Sequence, residues 1–193
     1  VEEFFNAISL DGKLYTLYPS FYLITFEGPT ALFGEEMGIT FEQVREAMAQ
    51  NPEITTPMAD MTRDDMLNTI CQLALDSYID WETGTCSFDQ GFAEVLEFCN
   101  LPEEYQSYDG DYVYVDPIVK LRNGEVLLVP SYVSDFTYSR VADEIVEGGT
   151  TFVGIPGVGG SGAAFTTNTG IAMSTTCADK DGAWQFMRRY VAG

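Results

Sequence analysis

The amino-acid sequence predicts an α/β fold in which a mixed sheet is flanked by helices on both faces. Short runs of β-branched and aromatic residues recur between segments whose apolar residues repeat with a helical period. Several of the helical segments also begin with a capping signal. Hydrophobic residues make up 46% of the 193 residues and aromatic residues 13%. A chain of this length and composition can bury a sizeable core and is not a disordered acidic tail.

The start of the chain predicts a hairpin followed by a strand. Asp11-Gly12 is the two-residue turn that type I′ geometry demands, and apolar residues lie on both sides of it. The run 21–26 is short and rich in aromatic and β-branched residues, which is typical of a strand.

Three helices are predicted next, and two of them begin with a capping box. Thr40 is followed three residues later by Gln43, and Thr62 is followed in the same way by Asp65. In each case the side chains can satisfy backbone N–H groups that have no partner inside the helix. The apolar spacing extends these helices over 41–50, 63–79 and 89–99.

The second half of the sequence alternates helices and strands. Asp116-Pro117 combines an N-cap residue with proline at the first helical position, and Asn123-Gly124 ends that short helix. A buried strand is expected over 126–129, stopped by Pro130, and a helix is expected to begin at Ser134 or Asp135. The remaining predicted elements are strands over 151–155 and 170–174 and a last helix after 179.

The charge balance and the absence of histidine exclude several functions. The chain has 30 acidic and 9 basic residues, a net charge of −21. A field this negative repels phosphate backbones, so we expect no nucleic-acid binding. Because the sequence has no histidine, Ser-His and Cys-His catalysis and histidine-ligated zinc are excluded. Enzymatic chemistry would have to use carboxylates, lysine or tyrosine.

The cysteines leave two alternatives open. The four residues Cys71, Cys86, Cys99 and Cys177 contain no CxxC pair, which excludes a zinc ribbon or a thioredoxin-type motif. A disulfide remains possible. The alternative is that Cys71 and Cys99, which lie in apolar helical patterns, are free thiols buried in the core. We expect no metal site and no cofactor.

The segment 157–162 matches the pattern GxGxxG after a predicted strand. The residues after it are β-leaning, so no helix N-terminus would face a pyrophosphate, and a dinucleotide site is not expected. We interpret the segment as a flexible loop that lines a cleft or crosses between lobes. The acidic residues near 109–116 lack the glycine and the final glutamate of an EF-hand, and the stretch 101–115 is expected to be a solvated surface loop.

Aromatic residues concentrate at predicted strand ends and helix starts, which are the cleft-facing positions of open α/β sheets. Small polar side chains such as Ser20, Ser131 and Ser134 lie near them in the sequence. Aromatic rings stack on the apolar faces of sugars, and small polar groups bind sugar hydroxyls. For each single aromatic residue, packing in the core is the alternative.

The order of motifs along the chain resembles bacterial extracellular solute-binding proteins of ABC importers. It is most similar to the sugar-binding subgroup, whose plan is that of the maltodextrin-binding proteins. The motifs are Asp11-Gly12-Lys13-Leu14-Tyr15, Tyr18-Pro19, Gly38-Ile39-Thr40-Phe41-Glu42-Gln43-Val44, 121–128 around Gly124, the glycine loop 157–165 and Asp179-Lys180-Asp181-Gly182-Ala183-Trp184-Gln185-Phe186.

The resemblance implies a periplasmic-binding-protein-like fold of type II, with two α/β lobes joined by a hinge. It places 26–168 in one lobe and 1–25 with 169–193 in the other, so that the chain corresponds to an internal portion of such a protein. It also implies lipid anchoring outside the cell and delivery of ligand to a membrane permease. No signal-peptide core or apolar run of about 20 residues is visible, so the anchor is expected outside this chain.

The sequence therefore predicts a non-enzymatic protein that binds a carbohydrate. The residues expected to converge on the ligand are Tyr18, Phe21, Tyr132, Asp135, Phe136 and Ser161. Two alternatives stay open. One is a carboxylate-dependent glycoside hydrolase or its accessory domain, and the other is a carbohydrate-binding or adhesion module on a surface. A pocket with two facing carboxylates would favour the hydrolase, and a flat aromatic strip would favour adhesion.

Overall fold

The structure is a computed structural model, and it describes residues 2–101, 113–134, 137–157 and 162–192. The predicted α/β class is confirmed. The elements in chain order are α1 (Glu2–Ala7), β1 (Phe21–Pro29), α2 (Thr30–Phe33), α3 (Phe41–Gln50), α4 (Arg63–Ala74), a 3₁₀ turn (Leu75–Ser77), β2 (Ile79–Asp80), β3 (Thr85–Cys86), α5 (Gln90–Cys99), α6 (Pro117–Arg122), β4 (Val129–Val133), α7 (Thr137–Ile145), β5 (Thr150–Phe152), β6 (Ala164–Thr167) and α8 (Lys180–Ala192).

The chain forms two compact units. Unit 1 consists of Val1–Tyr22 and Phe165–Gly193, and unit 2 is the continuous segment Leu23–Ala164. The chain therefore passes from one unit to the other twice, near the start of β1 and near the start of β6.

The sheet of unit 2 is organised around β1, which lies between β4 and β5. Both neighbours pair with β1 in antiparallel register, with Thr25 opposite Ser131 and Glu27 opposite Val129 and Phe152. β6 also pairs with β1. In the described residues, parallel pairing occurs in isolated bridges, Thr40 with Gly157 and Met58 with Leu128. The predicted mixed sheet is thus antiparallel in the two ladders whose register is defined.

The predicted strand over 126–129 is wrong in its position, because the strand begins at Val129 and Pro130 lies inside it. Proline lacks a backbone N–H group and cannot donate a hydrogen bond to a neighbouring strand, so within sheets it is confined to edge strands and bulges. β4 is at the edge of the sheet path β4-β1-β5, so one side of the strand needs no donor. Pro130 is therefore tolerated opposite Phe26.

Both predicted capping boxes are present at the starts of α3 and α4. The hydroxyl oxygen of Thr40 accepts from the backbone N–H of Gln43, and that of Thr62 accepts from the N–H of Asp65, each over 3.1 Å. The helix predicted over 63–79 is shorter than expected, because α4 ends at Ala74. A 3₁₀ turn follows, and Ile79 then pairs with Cys86 in the hairpin of β2 and β3.

The core of unit 2 has two parts. In one, the rings of Phe41 and Phe98 stack with their centroids 4.2 Å apart, which joins α3 to α5. In the other, Ile118 of α6, Val129 of β4 and Ala142 of α7 belong to one buried apolar cluster. α4 packs against α5 and buries Met66, Thr69 and Ile70, whereas Leu67 and Ala74 on the same helix are half-buried.

The helix before β4 begins and ends with the expected residues, and the helix after β4 begins later than predicted. Asp116 caps α6 by accepting from the N–H of Ile118 over 2.9 Å. Gly124 ends this segment with φ 71°, a left-handed conformation that favours glycine. α7 begins at Thr137 and is followed by Gly148 and Gly149, both with positive φ. The predicted starts at Ser134 or Asp135 precede this bound, and Asp135 lies outside the described residues.

Unit 1 differs most from the prediction. α1 was not predicted. The Asp11-Gly12 turn has the positive φ values of type I′, 52° and 68°, but pairing extends over a single bridge between Leu10 and Lys13. The predicted strand 170–174 is reduced to a bridge in which Leu17 and Ile171 exchange two backbone hydrogen bonds of 2.9 Å.

All four cysteines are free thiols in the structure, and the expected burial in the core holds for Cys99 but not for Cys71. Cys99 is buried, Cys71 and Cys177 are half-buried and Cys86 is exposed. Burial raises the pKa of the Cys99 thiol to about 12. Cys99 therefore behaves as a small apolar residue of the core at neutral pH.

Candidate functional site

The six predicted ligand residues are distributed over both units. Tyr18 and Phe21 lie in unit 1, and Tyr132 lies in unit 2. Asp135, Phe136 and Ser161 lie outside the described residues. The convergence of the six residues on one surface therefore stays a prediction.

Tyr132 is presented by the edge strand β4. Along β4 the side chains alternate between buried and exposed positions, as the pleat of a strand requires. Ser131 is buried, whereas Tyr132, which pairs with Ile24, is 60% exposed. The sequence left core packing as the alternative for this ring, and its exposure argues against that alternative. A Tyr at this position can stack on an apolar ligand face and offer its hydroxyl group.

Phe21 belongs to an aromatic cluster of unit 1, formed by Phe4, Phe5, Phe21 and Phe165. Phe4 stacks on Phe21 with the ring centroids 4.8 Å apart and also contacts Phe165 at 5.3 Å. The other three rings remain between 39% and 47% exposed. Sequence reasoning missed Phe4 because it lies on α1, a helix of six residues without a capping signal.

Tyr18 is half-buried and packs against the backbone of Gly170. A Cβ atom placed on Gly170 would lie 2.5 Å from a ring carbon of Tyr18, closer than side chains approach each other. Gly170 is thus needed for this close contact. The ring of Tyr18 is held by the segment that follows β6, next to the Leu17–Ile171 bridge.

Unit 2 contains a cavity of about 340 Å³ beside the turn after α2. It is lined by Glu35, Glu36 and Gln43 together with the backbone around Gly38, and the N–H groups of Gly38 and Ile39 both donate to the carbonyl of Val153. The volume is at the lower end of the range for small-molecule sites. Sequence reasoning missed this cavity. The sequence feature that could have indicated it is the pair of glycines, Gly34 and Gly38, on either side of Glu35-Glu36.

Unit 1 contains a larger cavity of about 580 Å³ between α8 and the segment 170–177. Its apolar lining includes Ile171, Met173, Phe186 and Met187, and its polar lining includes Ser174 and Thr176. The mixture of apolar surface and a few hydroxyl groups is common in ligand pockets. Of the predicted ligand residues, the three that the structure describes, Tyr18, Phe21 and Tyr132, line neither cavity.

Glu27 is the buried acid of the described residues, with a side chain in the centre of the unit 2 sheet. Burial raises its pKa, the hydrogen bond from Thr150 lowers it, and the negative charge of Asp143 raises it. Burial is the largest of these effects, so the pKa of Glu27 lies above its ordinary value. Within the described ranges, no group of three metal-ligating side chains could hold a metal ion.

Solved structures with the same arrangement of elements are sugar-binding proteins of transporters. The sugar-binding protein MalE of Xanthomonas citri aligns with 98% of this chain at a TM-score of 0.65 and 16% identity. An ABC substrate-binding protein of Listeria monocytogenes, solved with cycloalternan, aligns with 100% of it at a TM-score of 0.61 and 14% identity. This chain has the fold of the ABC sugar-binding proteins. The type II periplasmic-binding-protein-like fold that the resemblance implied is therefore confirmed.

The likeness to the ABC sugar-binding proteins covers about half of each solved chain. The share is 51% for the protein of Xanthomonas citri, 52% for that of Listeria monocytogenes and 57% for a sugar transporter protein of Bacillus licheniformis solved with stachyose. No protein-family model matches the sequence, and no curated protein matches it either. In the part of the chain that the structure describes, no helix combines the length and apolarity needed to cross a membrane.

Proposed function

We propose that this chain is part of an extracellular protein that binds a carbohydrate and delivers it to the permease of an ABC importer. The observation that carries the proposal is the shared fold: proteins with this arrangement of elements were solved with cycloalternan and with stachyose bound. The neighbours are binding proteins, which supports a non-enzymatic role. Lipid anchoring outside the cell and delivery to the permease belong to the same proposal.

The two units correspond, in this proposal, to portions of two lobes joined by a hinge. The sequence placed the lobe boundaries at 25/26 and 168/169, and the units divide at 22/23 and 164/165. The agreement within four residues supports the assignment. β1 and β6 would then be the strands through which the chain crosses the hinge.

The ligand surface proposed here contains Tyr18, Phe21, Tyr132, Asp135, Phe136 and Ser161. The exposure of Tyr132 and Phe21, at 60% and 47%, supports their availability for stacking. A neutral polyol suits the site better than an anion does, because unit 2 carries many more acidic than basic residues. Aromatic rings and small polar groups together match the two kinds of surface that a sugar presents.

Calorimetry with Tyr132→Ala and a matched control tests the ligand surface. Tyr114 is the control because it is also an exposed tyrosine of unit 2, at 64%. Tyr132→Ala should weaken sugar binding by about 1 to 3 kcal/mol, the range for aromatic stacking on nucleic-acid bases. Tyr114→Ala should leave the affinity unchanged. Equal affinities for the two variants, with the fold retained, would remove Tyr132 from the site.

A hydrolase is distinguished from a binding protein by its products. Incubating the protein with an oligosaccharide that it binds and measuring new reducing ends should show no release above the buffer rate. Steady release that depends on protein concentration would overturn the non-enzymatic assignment. An adhesion module would instead retain insoluble polysaccharide without binding short, soluble sugars.

A further inference from the structure

The geometry points to Glu27 as a buried proton-binding site. Its carboxyl group holds a proton in the folded protein over a range of pH in which an exposed glutamate is ionised. This inference concerns the centre of the unit 2 sheet and does not depend on the proposed sugar site. The failure of one would leave the other standing.

The position of Glu27 excludes water from the carboxyl group. The residue is 2% exposed and lies on the central strand β1, between Val129 of β4 and Phe152 of β5. Its Oε2 atom is buried and has no hydrogen-bond partner among the residues that the structure describes. A buried carboxylate oxygen without a donor is costly, whereas a protonated carboxyl group carries no charge that needs solvation.

The hydrogen bonds around Glu27 hold a second acid in place. The hydroxyl group of Thr150 donates to Oε1 of Glu27 over 2.5 Å, and the backbone N–H of Thr150 donates to Oδ1 of Asp143 over 3.1 Å. Thr150 therefore connects β1 to α7 through two carboxyl groups. Gly149 leaves room for Asp143, because a Cβ atom on Gly149 would lie 2.5 Å from its Oδ1 atom.

The charges near Glu27 oppose its ionisation. Asp143 on α7 is the titratable group that acts on it, and its negative charge raises the pKa of Glu27. The residues opposite Glu27 on β4 and β5, Val129 and Phe152, are uncharged. In the described residues no basic side chain forms an ion pair with Glu27: the defined ion pairs join Lys120 to Asp60 and Arg140 to Glu144.

Proton binding at Glu27 makes the stability of unit 2 depend on pH in a defined direction. Above the ordinary pKa of glutamate, about 4.3, the unfolded chain is ionised at this residue while the folded chain keeps its proton. Unfolding then releases one proton to water. The equilibrium constant for unfolding therefore rises with pH, by up to about tenfold per unit, until the pH passes the folded pKa.

The direct test is a titration of the wild-type chain by NMR, following the side-chain carboxyl carbon of Glu27. The expected midpoint lies above about 4.3, the ordinary value for glutamate. A midpoint at or below that value would overturn the proposal. This measurement needs no variant and so does not depend on how a substitution folds.

A second test compares Glu27→Gln with Glu53→Gln, which removes an exposed acid from the same unit. Denaturant unfolding is measured from pH 5 to pH 8. Relative to Glu27→Gln, the wild type should lose stability as the pH rises, because glutamine carries no proton to release. Glu53→Gln should keep the wild-type dependence of the free energy of unfolding on pH. This variant controls for repulsion between surface acids, which also changes stability with pH. Parallel profiles for wild type and Glu27→Gln would contradict a bound proton.

Discussion

Unit 2 contains 25 acidic and 5 basic residues, a net charge of −20, whereas unit 1 contains 5 acidic and 4 basic residues, a net charge of −1. The two values add to the −21 of the whole chain. Unit 1 comprises 51 residues and unit 2 comprises 142, so length alone does not explain the difference. Apart from Glu27, the acids of unit 2 whose side chains the structure describes are exposed or half-buried, and their charges favour solvation of the surface around a large apolar core.

The burial of apolar side chains also differs between the units and is more complete in unit 2. Unit 2 has apolar side chains that are completely buried, among them Phe26, Val44, Met66 and Phe98. Among the described residues of unit 1, the buried apolar side chain is Met187, and it is still 8% exposed. Large apolar residues of unit 1 such as Leu10, Trp184 and Phe186 are between 47% and 66% exposed. The large apolar side chains thus form a core in unit 2, whereas in the described part of unit 1 many of them lie at the surface.

This contrast teaches that the two units are stabilised by different contacts. Unit 2 depends on buried area, which contributes about 25 cal/mol for each Å² of apolar surface removed from water. Unit 1 depends on individual contacts between separate segments, such as the stack of Phe4 on Phe21 and the bridge between Leu17 and Ile171. Such contacts leave its apolar side chains available to further surfaces.

The largest expected effect comes from truncating one phenylalanine in each unit. Phe26→Ala removes a completely buried ring of unit 2 and should lower the free energy of unfolding by about 3 to 5 kcal/mol. Phe186→Ala removes a ring of unit 1 that is 66% exposed and should change it by no more than about 0.5 kcal/mol. Denaturant unfolding measures both. A similar loss for the two variants would break the contrast between the units.

The next largest expected difference between the units is in the rate at which their cysteine thiols are alkylated. The pKa of Cys99 is raised from 9.0 to about 12, so its thiolate fraction at pH 8 falls about a thousandfold. Cys99 in unit 2 should therefore react far more slowly with iodoacetamide than Cys177, which is half-buried in unit 1. Mass spectrometry of digested samples gives both rates. Fast modification of Cys99 in the native protein would show that the core of unit 2 opens readily.

Removing one helix cap in each unit should have the smallest effect, about 1 kcal/mol per cap. Thr62→Ala removes the acceptor for the N–H of Asp65 at the start of α4, and Asp179→Ala removes the acceptor for the N–H of Gly182 in α8. Hydrogen exchange should show faster exchange in the helix that lost its cap, with the other unit unchanged. Loss of protection across both units after either change would contradict separate stabilisation.

Features specified by neighbouring residues could be predicted from the sequence. Thr40 and Thr62 marked the first residues of α3 and α4, because a capping box involves only four consecutive residues. The turn at Asp11-Gly12 was recognised for the same reason. The α/β class followed from several such local signals that agree with one another.

Features that depend on distant partners could not be predicted. Pro130 lies within β4 because that strand is at the edge of the sheet, and the strand order is not written in the local pattern. α1 carries Phe4, whose ring stacks on Phe21 far along the chain. In the candidate site, the exposure of Tyr132 depends on its pairing with β1, and both cavities are formed by segments that pack together only in the fold.

Isothermal titration calorimetry with a panel of neutral mono- and oligosaccharides tests the central claim, carbohydrate binding, most directly. The panel should include maltodextrins, stachyose and sugar alcohols, with a phosphorylated sugar as the anionic control. The account predicts saturable binding of at least one neutral sugar, and no binding of the anionic control by a chain of charge −21. Absence of heat with every neutral sugar, or tighter binding of the phosphorylated one, would contradict it.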